Sequence, residues 1–146
     1  PIPRKGAMKK IMKALENGKD VGILFDQNVT RNHACFAPWF SLEAAVTKAV
    51  GLAAVKNEAE VVVASISYQG DDNYKINTVE CDFSEVYASD ADLDEKIEII
   101  TKRVSEEYTK MIAKHPHEWF WMHRRWKTRR NENELENIYK ENSPYL

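Results

Sequence analysis

Hydrophobic and polar positions first alternate at helical spacing. Over residues 6–17 the apolar side chains are Met8, Ile11, Met12 and Leu15, which predicts a short amphipathic helix stopped by Gly18. A continuous apolar run, VGILF at 21–25, comes next and ends in Asp26 and Gln27. That is the pattern of a strand buried on both faces whose C-terminal edge presents polar groups, and in open α/β sheets ligands bind at that edge. Residues 28–41 begin polar and turn aromatic in FAPWF at 36–40, which reads as a loop folding back over the strand end. Ser41 is placed to cap a second helix with the stripe Leu42, Val46, Ala49, Val50 and Ala53, and Glu43 sits in its first turn where the helix dipole favours an acid.

The second half has clearer punctuation. Residues 61–68 read as a strand, QGDDN at 69–73 as a turn, and 74–83 as a returning strand, hence a hairpin. Residues 92–114 form the longest predicted helix, with Ile97, Ile100, Val104, Tyr108 and Met111 on one face, acids at the start, and His115-Pro116 ending it. The combination predicts an α/β fold with a mixed sheet flanked by helices. One domain is expected over residues 1–130, followed at 131–146 by a weakly ordered polar tail in which Leu135, Ile138 and Tyr139 are the candidates for docking.

Composition is compatible with a packed core: 146 residues, 43% hydrophobic and 30% charged, with no apolar run near the length that spans a bilayer. The first residue is proline, and the stretch reads as a fragment lacking an N-terminal part. Cys35 and Cys81 have no C-x-x-C spacing and are expected as reduced, buried thiols. The net charge of −2 excludes a uniformly basic nucleic-acid binder, yet residues 117–130 hold Arg124, Arg125, Lys127, Arg129 and Arg130 against Glu118 alone. Such local positive potential implies an anion site or a docking strip.

That run, HEWFWMHRRWKTRR, also holds three of the four tryptophans. It admits three readings: core tryptophans with a solvated basic rim, a strip that stacks bases, or a lipid-facing segment with indoles and guanidiniums at the head-group level. Acidic flanks weigh against nucleic acid, and the lipid reading is favoured. Asp26 fits an acid/base, a metal ligand or an anchor for loop N–H groups. His115-x-His117 lacks companion ligands, so no metal site is expected, and no G-x-S-x-G elbow, P-loop or G-x-G-x-x-G occurs.

Residues 116–129 resemble the C-terminal signature of the bacterial lipid A biosynthesis acyltransferases, roughly P-E-Q-Y-x-W-x-H-R-R-F-K-T-R. Upstream, Asp26-Gln27, FAPWF at 36–40, and Ala44, Ala45 and Thr47 are similar, in the same order, to that family's D-Q, F-V-P-F-F-G and A-x-T elements. Ser41 departs from the family's glycine, and Ala64 from a frequent proline.

The resemblance implies the C-terminal part of a glycerolipid acyltransferase-like α/β fold at the cytoplasmic face of the bacterial inner membrane. It implies transfer of a fatty acyl chain from acyl carrier protein to a hydroxyl of a lipid A precursor, with no cofactor and no nucleic acid. The family's catalytic motif is H-x4-D/E, whose histidine acts as general base. Here the residues five positions after His33, His115, His117 and His123 are Pro38, Phe120, Met122 and Thr128, so no catalytic residue is assigned within the chain. The catalytic pair and a membrane anchor are expected upstream, leaving this stretch inert by itself. By the same resemblance the substrate-binding candidates are Arg4, Asp26, Gln27, His123, Arg124, Arg125 and Lys127. The H-R-R-x-K cluster is open to a structural role as well, and the alternative to an enzyme is a noncatalytic module that binds membranes or anionic lipid.

Overall fold

A computed structural model describes residues 1–3 and 5–130. Arg4 and the expected tail at 131–146 lie outside the described residues. Helix α1 spans Ala7–Glu16 and buries Ile11. Strands β1 (Ala34–Trp39) and β2 (Leu42–Thr47) pair antiparallel, and helix α2 (Ala49–Asn57) follows. Strands β3 (Val61–Gly70) and β4 (Asn73–Cys81) form the second hairpin, and the short helix α3 (Ser84–Ala88) leads to α4 (Leu93–Lys114).

The α/β class stands, but the expected single mixed sheet does not. Among the described residues there are two two-stranded antiparallel sheets, β1–β2 and β3–β4. Residues 21–25 have no ladder partner among the described residues, so they form no strand. Their burial is one-sided: Phe25 is 4% exposed and Leu24 82%. An apolar run alone does not fix two-sided burial, because a strand also needs a neighbour's backbone groups.

The second correction lies at residues 34–47. Expected as a loop and the first half of a helix, they form the β1–β2 hairpin, turning at Phe40 (φ 57°) and Ser41. Leu42, Val46, Ala49 and Ala53 do recur every three or four positions, but Ala44, Ala45 and Val46 are all fully buried. Three consecutive buried residues require cover on both faces, which a strand between two layers receives and a surface helix does not. Helix α2 begins only after Thr47, whose hydroxyl accepts a hydrogen bond from the Ala49 N–H at 3.2 Å. Ser41 therefore caps no helix.

The long helix matches its pattern. Asp92 caps α4 by accepting from the Glu95 N–H at 2.9 Å, and Asp94 and Glu95 occupy the first turn. Ile97, Ile100, Val104 and Met111 enter the core. The approach of α2 to α4 is set by Gly51, where an added Cβ would lie 2.5 Å from the Ile97 carbonyl oxygen and 2.6 Å from the Thr101 hydroxyl. On the other side β1 rests on α4, and the Ser105 hydroxyl donates to the Pro38 carbonyl. Trp39 is fully buried there, its ring 5.6 Å from Tyr108 and 6.3 Å from Phe25. Both cysteines are free, as expected.

Candidate functional site

The aromatic and basic run leaves α4 through a 3-10 turn, Pro116–Glu118, and crosses the β1–β2 hairpin as a strap. Successive tight turns fold it: the His123 N–H reaches the Phe120 carbonyl at 3.2 Å, and the Lys127 N–H reaches the Arg124 carbonyl at 3.2 Å. Indoles secure its first half. Trp119 lies 5.8 Å from Trp39 and 6.3 Å from Phe40, and Trp121 stacks on Phe40 at 6.1 Å. Arginines secure the second half. The Arg130 fork meets both carboxylate oxygens of Glu43 at 3.1 and 2.9 Å, Arg129 donates to the Glu43 carbonyl, and Arg31 donates to the Arg129 carbonyl.

The two arginines of the H-R-R-x-K core have opposite environments. Arg125 is 0% exposed, its guanidinium 4.3 Å above the Trp39 ring and its Nη2 donating to the Ala45 carbonyl at 2.8 Å. Arg124 and Lys127 are exposed. His123 is half-buried, and its Nε2 accepts the Asn28 N–H at 2.7 Å, which places the ring proton of the neutral imidazole on Nδ1.

Asn28 ties the two family motifs together. Its side chain donates to the Thr128 hydroxyl at 3.0 Å and accepts the Thr128 N–H at 3.1 Å, while its own N–H reaches His123. Asp26 and Gln27 precede this joint; Asp26 is half-buried and Gln27 exposed. Asp26 also acts on Tyr108, whose phenol is pushed up to about 12, first by burial and then by the Asp26 charge, with Arg125 pulling the other way. Asp26, Tyr108 and Arg125 thus share one electrostatic neighbourhood.

A groove of about 530 Å³ has Asp26 and Tyr108 in its lining. Ile66 and Ile76 of the second hairpin wall one side, and Met111, Ile112 and Phe120 the other. Asp26, His115 and Glu118 set polar groups into an otherwise largely apolar and aromatic lining. The structure therefore brings Asp26, His123 and Arg125 toward one region and leaves Gln27, Arg124 and Lys127 on its solvent side. Asn28, Thr128 and Tyr108 were not among the sequence candidates. Thr128 lies within the signature and Asn28 directly follows Asp26-Gln27, so adjacency to a motif was the available signal; nothing in local pattern marks Tyr108 except its place on the buried face of α4.

These features define an α/β chain in which a cationic aromatic strap is bonded to the turn after Asp26, a residue that lines a largely apolar groove. Residues 2–128 match the family model for bacterial lipid A biosynthesis acyltransferases, and the chain belongs to that family. Acyl transfer in lipid A synthesis is the family's chemistry, and a lipid A precursor its substrate class. No curated protein matches the chain. Among the described residues no helix is long and apolar enough to cross a membrane, and no group of three or more His, Cys, Asp or Glu is arranged to hold a metal ion.

Proposed function

We propose that this chain shapes the substrate site of an enzyme that moves a fatty acyl chain from acyl carrier protein to a hydroxyl of a phosphorylated, acylated glucosamine disaccharide, at the cytoplasmic face of the bacterial inner membrane. The joint at Asn28 carries this reading. It holds His123 and Thr128 of the C-terminal signature against the turn that follows Asp26, two family elements about a hundred residues apart in sequence. A largely apolar groove with Asp26 in its lining suits an acyl chain.

In this reading the strap has divided labour. Arg124 and Lys127, exposed beside the joint, meet a phosphate of the acceptor or the phosphopantetheine arm of the donor. Arg125 and His123 position them from below, and Asp26 with Gln27 orients the sugar hydroxyls. Arg4 is a further substrate-binding candidate by resemblance alone. The general base is a histidine of an H-x4-D/E pair upstream of Pro1, since none of the four histidines here has that spacing. That base takes the proton of the acceptor hydroxyl as its oxygen attacks the thioester carbonyl, and the thiol leaves.

The test is acyl transfer by the protein that unites this chain with such a pair, read by mass spectrometry of the acceptor. Arg124→Ala with Lys127→Ala should raise KM for the phosphorylated acceptor at least about tenfold, the value of one lost charge-assisted hydrogen bond. An unchanged KM would remove these residues from the site.

A further inference from the structure

The strap does not bury all of its apolar residues. Met122 is 83% exposed and Trp121 50%, and the hairpin turn beside them adds Phe40 at 40% and Leu42 at 41%. Trp121 and Phe40 are stacked, so two distant segments form one apolar tip. It is a held tip rather than a loose one. The backbone is turned tightly at Phe120–His123, and the Trp121 indole N–H donates to the Pro116 carbonyl. An indole whose N–H is already bonded enters an apolar phase without leaving a donor unsatisfied.

Among the described residues, exposed cations cluster on the segments around this tip. Lys114, Arg124 and Lys127 are exposed on the segments that flank it. Both nearby acids are occupied: Glu118 accepts the Tyr68 N–H at 2.7 Å, and Glu43 holds the Arg130 fork. Apolar and aromatic side chains at a turn, backed by cations, complement the head-group layer of an anionic bilayer.

We infer that Met122, Trp121, Phe40 and Leu42 enter the surface of an anionic membrane, with Arg124 and Lys127 on the lipid phosphates. The inference deepens the proposed function, resting on its reading that the acceptor is a membrane lipid, and it identifies which part of the strap meets the lipid. Trp119, Trp126 and Arg125 are excluded from the contact by their packing against the hairpin and one another.

The experiment is co-sedimentation of the chain, without donor or acceptor, with vesicles of phosphatidylethanolamine and phosphatidylglycerol, against vesicles of phosphatidylcholine alone. The wild-type chain should partition onto the anionic vesicles and lose that binding as salt rises. Brominated lipid should quench its tryptophan emission. Trp121→Ala with Met122→Glu should lower the partition coefficient at least about tenfold, since a lost apolar anchor and an added charge both oppose entry. Met122→Glu alone should also lower it and melt near wild type, because Met122 is 83% exposed, whereas Trp121→Ala also removes the stack on Phe40 and the bond to the Pro116 carbonyl.

Wild-type binding by the double variant would overturn the inference, as would a wild-type chain that ignores anionic vesicles. Light scattering that shows a wild-type dimer, converted to monomer by the double variant, would assign the tip to a second copy of the chain instead. Because vesicle binding is read without catalysis, a protein that binds through the tip yet transfers no acyl chain would sink the functional reading and leave this one standing.

Discussion

Replacing Arg125 by alanine separates a structural arginine from a substrate-binding one. The side chain is fully buried, donates to the Ala45 carbonyl at 2.8 Å, and sits 4.3 Å over Trp39. Its removal costs a hydrogen bond from a charged donor, about 1.5–3 kcal/mol. A desolvated cation–π contact adds about 2 kcal/mol, and the lost stem leaves a cavity. Against this stands the relief of a buried charge, so a net loss of about 3 kcal/mol is expected. For a chain of this length that lowers the melting temperature by roughly 10 °C. Circular dichroism melting of R125A beside R124A measures it, and R124A, exposed, should stay within about 0.5 kcal/mol of wild type. Arg125→Lys should recover little, because a lysine cannot reproduce the planar fork on ring and carbonyl. An R125A protein that melts with the wild type would refute the buried cradle.

Asn28→Ala should cost about 1–3 kcal/mol by removing both bonds to Thr128, and in the full enzyme it should reduce acyl transfer by more than its stability loss explains; urea melting and acceptor KM read the two separately. Gly51→Ala should destabilise despite better helix propensity, by about 2 kcal/mol or more, since its Cβ would overlap the Ile97 carbonyl; thermal melting decides the sign. The Cys35 thiol is pushed up to about 11 by burial, from 9.0, and the Tyr108 phenol to about 12, from 10.0. Both groups ionise earlier in the unfolded chain, so their contribution is intact below pH 9 and is lost as pH rises from about 9 to 12. Denaturant midpoints across that range should fall, and less steeply in C35A and Y108F.

Helix α4, helix α1 and the β3–β4 hairpin were legible because each carries its own punctuation: Gly18, Asp92, His115-Pro116, and the turn at 69–73. Residues 34–47 were not, because their burial comes from layers remote in sequence. Ala44, Ala45 and Val46 are strand-like only once α4 lies on one side and the strap on the other. The same limit applies at 21–25, where composition announced a strand and the hydrogen-bonded neighbour is absent among the described residues. Helix α3 was missed because its signal is a side-chain turn at Asp82, which accepts from both the Ser84 N–H and hydroxyl. Local spacing placed Arg124 and Arg125 together as equals, whereas adjacent positions on a tight turn point in different directions. Sequence identified the strap and its family; only packing against Trp39 and Asn28 divides it into buried supports and exposed cations.

The central claim is that this chain forms the substrate side of a lipid A acyltransferase. Its most direct test incubates a protein that unites this chain and the proposed histidine–acid pair with acyl-loaded carrier protein and a phosphorylated, acylated glucosamine disaccharide. Mass spectrometry should show the acceptor heavier by one acyl chain, with Arg124→Ala and Lys127→Ala together demanding far more acceptor for the same rate. An unmodified acceptor beside free fatty acid from hydrolysed donor would contradict the account.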